Sequence, residues 1–75
     1  MFPKYYAEIE DSSRNVVVLH TIGYSATIES GASFTTNVSG HSIVELDEDD
    51  VTAAGTGDDI VGNFRVDDAG KLERL

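Results

Sequence analysis

Two histidines, fourteen carboxylates and no cysteine bound the chemistry open to this 75-residue chain. The first place to look for a metal is the acidic stretch Asp47, Glu48, Asp49 and Asp50, followed by Asp58 and Asp59, because calcium takes about six to eight oxygen ligands. The spacing argues against a calcium loop. An EF-hand needs acids at alternate positions, a central glycine and a closing bidentate glutamate, whereas these acids are adjacent and diverge on a helix or strand. The cluster therefore reads as a solvated acidic surface, with a weak cation-binding module as the alternative. His20 sits inside VVVLHT and reads as a strand residue whose ring nitrogen is satisfied; His41, beside Gly40, reads as exposed in a turn. A joint metal site would need a third ligand that nothing in the spacing identifies.

Other catalytic signatures do not accumulate. No serine stands in a GxSxG context, neither GxGxxG nor GxxxxGK[ST] is present, and Gly55, Thr56 and Gly57 read as a flexible link. Paired carboxylates do general acid–base work only where a cleft raises one of their pKa values, and so short a chain gives no sign of such a cleft. No catalytic, cofactor-binding or metal-binding residue is assigned, no cofactor is expected, and the chain is read as a non-enzyme. Asn37-Val38-Ser39 is a formal glycosylation sequon, a three-residue pattern that arises often by chance. Tyr5, Tyr6 and Tyr24 combine apolar area with a polar tip, a type enriched at interfaces. Tyr6 reads either as a half-buried surface aromatic or as a contact with a neighbouring subunit.

The elements that would position these residues are strands. In YYAEIE, Tyr5, Ala7 and Ile9 alternate with Tyr6, Glu8 and Glu10, the period of two that gives a sheet one buried face, here the first. Residues 11–15, DSSRN, form a polar break suited to a longer hairpin loop. VVVL at 16–19 is β-branched and aliphatic throughout and reads as the most central strand. Gly23 marks a tight turn or bulge, after which Tyr24, Ala26 and Ile28 resume alternation in a third strand. SFTTNV at 33–38 reads as a fourth strand with Phe34, Thr36 and Val38 on one side, and residues 43–46 as a fifth after a turn at Gly40. Residues 47–59 are an acidic loop or a short helical turn with Asp47 as N-cap and Gly55 as terminator. The loop is preferred because VTAAG offers few apolar anchors. Residues 60–66 restore strand character with Phe64 and Val66 on one face, DDAGK turns at Gly70, and LERL closes as a short strand or tail. Residues 1–4, containing Pro3, read as an extended arm. The sum is a single all-β domain over 1–75, a small antiparallel sandwich or partly open barrel of about five to seven short strands.

Composition narrows the function classes. A chain of this length buries only about 60 to 65% of the surface its unfolded form exposes, and with no cysteine it has neither disulfides nor thiolate zinc sites as staples. Assembly is the remaining usual remedy. Fourteen acids against five bases give a net charge of −9, which disfavours nucleic-acid binding, since counterion release needs clustered lysine or arginine. Aspartate outnumbers glutamate and only Lys4 and Lys71 are lysines. That profile resembles the proteomes of halophiles that accumulate salt, where molar salt screens a self-repelling carboxylate surface. The longest apolar run falls far short of the ~20 residues of a membrane span, and MFPKYYAEI has no apolar core of a secretion signal, so a soluble protein is expected.

The arm MFPKYY, the rhythm of short strands through Val44 and the closing FRVDDAGKLERL together resemble the small β-rich accessory proteins of tailed-virus particles, those of head decoration, neck and tail. With the halophilic bias, the source would be a virus of haloarchaea. The resemblance is one of class and carries no diagnostic motif. It implies a structural, non-enzymatic subunit located in the virion and made in the host cytoplasm, contacting itself or other virion proteins by arm or sheet edge. The competing class is an acidic inhibitor that mimics DNA and occupies a basic protein groove.

Overall fold

The computed structural model describes residues 2–75. Its elements are β1 (Lys4–Glu10), β2 (Val16–Ile22), α1 (Ala26–Glu29), β3 (His41–Leu46), α2 (Glu48–Ala54), α3 (Gly57–Ile60), β4 (Phe64–Val66) and β5 (Leu72–Arg74). The strands form two antiparallel sheets, one of order β2-β1-β3 and one pairing β4 with β5, so the molecule is a small β-rich fold with a few short helices.

The central strand is β1, not the valine run. Tyr6, Ala7, Glu8 and Ile9 are all buried, whereas only Val16 is buried in β2. Two features explain why the sequence pattern misleads. The register between β1 and β2 slips between Glu8 and Ile9, pairing Glu8 with Val18 and Ile9 with Val16. Val17 is thus the extra residue of a bulge, and the unbroken apolar run marks that irregularity rather than a strand covered on both faces. Conversely, β1 alternates as expected but its second face is covered as well. The cover is the segment from Gly23 to Gly40, for which two strands were expected and none forms. Ser25 caps α1 instead, its hydroxyl accepting the Ile28 N–H at 3.3 Å; a three-residue alternation is too short to tell strand from helix. Residues 33–38 keep the expected inward side for Phe34 and Thr36, both half-buried, while Val38 is 50% exposed. Their apolar side meets a sheet face instead of a neighbouring ladder.

The acidic stretch folds as helix, against the preferred loop. Asp47 accepts the Asp49 N–H at 3.3 Å, Val51 is the buried anchor, and Gly55 ends α2 at φ 116°. One buried valine suffices because the cap and three acids in the first turn favour the helix start. The strand expected over 60–66 begins only at Phe64, since Ile60 closes α3; Ile60, Phe64 and Val66 are nonetheless core residues. The turns at Gly40 and Gly70 form as expected, and residues 72–74 pair with β4. Of the expected arm, Lys4 already belongs to β1 opposite Ile22, and Phe2 packs on Tyr24 with ring centroids 5.2 Å apart; Met1 lies outside the described residues.

One core serves both sheets: Ala7, Ile9, Val16, Leu46, Val51, Ile60, Phe64 and Val66. Arg14 ties the sheets together. In left-handed backbone at φ 63°, its carbonyl accepts the Val66 N–H at 3.0 Å. Its guanidinium donates to the carbonyls of Val66 at 2.7 Å and Asp67 at 2.9 Å.

Candidate functional site

The covered face of the three-stranded sheet holds the one buried charged side chain of the described residues. Glu8, 6% exposed, points from the middle of β1 away from the apolar core. His20 from β2 lies on one side, with Nε2 3.0 Å from Oε1; His41 from β3 lies on the other, with Nδ1 2.6 Å from Oε2. The placement follows from pairing. On antiparallel strands, Glu8 lies opposite Val18 and Ile43, which sets His20 and His41 two residues off register on the same face, diagonal neighbours within reach of a long side chain. A carboxylate only accepts hydrogen bonds, so the imidazole proton is assigned to Nε2 in His20 and to Nδ1 in His41.

The bond from His41, then that from His20, hold the Glu8 carboxyl below its ordinary value; burial opposes them, and Thr36 adds a smaller lowering. Phe34 roofs the trio, stacked on Tyr6 at a centroid distance of 4.9 Å and tilted against His20 at 5.0 Å. Tyr6 is therefore buried by its own chain, and His41 is a half-buried strand residue rather than an exposed turn residue. Beside the roof, Lys4, Tyr6, Ile28, Phe34, Ile43 and Glu45 border an open groove of about 410 Å³.

Chemically this trio is a clasp. Each carboxylate oxygen already accepts an imidazole N–H, so both oxygens of Glu8 are engaged within the fold. The two rings approach different oxygens, and among the described residues no group of three ligands converges as a metal ion requires. The third partner that the histidine spacing could not supply is thus Glu8, used for bracing three strands.

The acidic cluster is also put to structural use. Asp47 caps α2, Asp50 accepts the Leu72 N–H at 2.8 Å, and Asp59 accepts from the Thr56 N–H at 2.9 Å and the Thr56 hydroxyl at 3.1 Å. Those Thr56 contacts lower the Asp59 pKa. Asp67 closes its hairpin by accepting the N–H groups of Ala69 and Lys71, each at 2.9 Å. The carboxylates face different backbone segments instead of a common point.

A further signal lies in where the acids are absent. Residues 12–44 contain a single carboxylate, Glu29, balanced by Arg14, so the whole net charge of −9 sits on residues 1–11 and 45–75. Comparison with protein-family models, with curated proteins and with solved structures finds no match.

Proposed function

We propose that this protein is a non-enzymatic structural subunit of a virus particle, at a decoration, neck or tail position, working through repeated contacts with other protein subunits. The observation that carries the reading is a three-stranded sheet whose two outer strands, β2 and β3, each pair only with β1. Unpaired strand edges are templates for another chain, and the nine buried apolar residues among those described make a thin core that added contacts would stabilise. A Glu8 carboxylate engaged at both oxygens supports a structural role over acid–base chemistry. In this reading the two sheets are a small, partly open sandwich completed by a neighbour's strand, and the surplus of carboxylates suits a salt-rich, haloarchaeal setting. No described helix is long and apolar enough to cross a membrane.

Mass spectrometry of gradient-purified particles from producing cells tests the assignment. The chain is expected at a fixed copy number per particle; its absence from intact particles, or turnover of a small molecule by the purified protein, overturns it. The segregation of acids away from residues 12–44 favours one second reading, an acidic mimic of DNA that fills a basic groove. Salt-sensitive competition with duplex DNA for a DNA-handling protein would select it.

A further inference from the structure

From the two open edges we infer that β2 is the one used, and that its occupant is a second copy of this chain, joined by antiparallel β2 to β2 pairing about a twofold axis. The inference rests on the assembly reading above and adds the surface and the partner. Gly62 donates to the Val16 carbonyl at 3.1 Å and so covers the first residue of β2. Beyond it, among the described residues, the groups that residues 18–22 turn away from β1 meet no backbone or side-chain hydrogen-bond partner.

Proteins ordinarily guard such an edge with charge, proline, a covering segment or a bulge. The open part of β2, VLHTI, carries no carboxylate, lysine or proline, and Val18 is 39% exposed on it. The bulge at Val17 lies before the open part. The opposite edge is guarded: β3 bears Glu45, runs into Asp47 and Glu48, and starts beside Glu10 and Asp11.

Charge then selects the occupant's approach. Two copies at −9 repel wherever their acidic elements face each other. β2 lies within residues 12–28, which hold no acid at all, so the strand brought to the seam adds no carboxylate of its own, although α3 with Asp58 and Asp59 packs against it. Twofold antiparallel pairing is self-complementary, each copy presenting the same strand, and it extends β2-β1-β3 into a continuous six-stranded sheet. Because the repulsion is long-ranged and the strand pairing is not, the dimer strengthens with salt, as the Debye length falls from about 8 Å at physiological ionic strength to about 3 Å at 1 M.

A cysteine-free chain allows a direct test. Thr21→Cys places one thiol at the exposed end of β2, and Glu45→Cys places one on β3. Under mild oxidation in molar KCl, Thr21→Cys is expected to cross-link to a dimer and Glu45→Cys to stay single. In sedimentation, Val18→Lys is expected to weaken the dimer at least about tenfold, since it sets a charge on the paired edge. If Val18→Lys unfolds, the cross-linking pair decides. Cross-linking at Glu45→Cys instead, or an undiminished dimer in folded Val18→Lys, overturns the β2 assignment while leaving an assembly role standing. A wild-type chain that stays monomeric alone yet is incorporated into particles overturns self-pairing only. A chain absent from particles, whatever its solution mass, defeats the assembly reading itself.

Discussion

Glu8 illustrates how a single carboxylate can be held far from water by its neighbours. Its two imidazole partners arrive from both flanking strands at 3.0 and 2.6 Å, and they outweigh burial in setting its pKa below the ordinary 4.5. The consequence for stability has a definite sign. A carboxyl lowered on folding contributes stability that is fully present above its unfolded value and is lost as pH falls through its folded value. Thermal melts between neutral pH and pH ~3 should therefore show a steeper loss in wild type than in Glu8→Gln below the ordinary carboxylate range. Parallel pH profiles would show that Glu8 does not differ between folded and unfolded chains. Little of this clasp was legible in the sequence. The alternation in YYAEIE placed Glu8 correctly on the face away from the core, and His20 was rightly read as satisfied within a strand. What joins Glu8 to His41, 33 residues away, is pairing between β1 and β3, and no local pattern encodes that register.

At the scale of elements, local cap and turn types carried part of the answer, although the loop was preferred over the helix that Asp47 starts and the cap at Ser25 was missed. Asp47 and Gly55 delimit α2 as their types require, and Gly70 supplies the left-handed position of the final hairpin at φ 81°. Gly55 could hardly be anything else: at φ 116°, a Cβ there would stand 2.5 Å from Asp59 Oδ2. The failures came where a segment's partner lay elsewhere in space. Residues 33–38 alternate like a strand but serve as a roof, and the valine run looked central because a bulge inside it was invisible. Arg14 is the most consequential residue that sequence reading passed over, a member of a polar loop whose fork reaches two carbonyls of the second sheet. Truncation by Arg14→Ala should cost about 2 kcal/mol, because hydrogen bonds from a charged donor contribute about 1.5–3 kcal/mol. Arg14→Lys should recover only part of that, as an ammonium cannot span both acceptors with a planar fork. Urea midpoints read the difference; a loss in Arg14→Ala below about 0.5 kcal/mol, the range of neutral surface changes, would mean the core and the backbone bond between Arg14 and Val66 hold the sheets together without the guanidinium.

For the whole molecule, the governing facts are a small core, the two open edges of the three-stranded sheet and an uneven distribution of charge. Composition announced the first and the excess of acids, while the segregation of those acids acquires meaning only once β2 is seen to be an unguarded edge lying within the neutral stretch 12–44. In the proposed dimer the acid-free strand forms the seam and the acidic surface stays solvated and repulsive, a combination suited to ordered rather than indefinite assembly. Light scattering on the purified chain across a KCl series, from about 0.15 M to about 1 M, tests this most directly. A mass at least twice 8.1 kDa is expected at high salt, falling toward a monomeric or partly unfolded chain as salt is withdrawn. A compact, folded 8.1 kDa monomer at every salt concentration would contradict it.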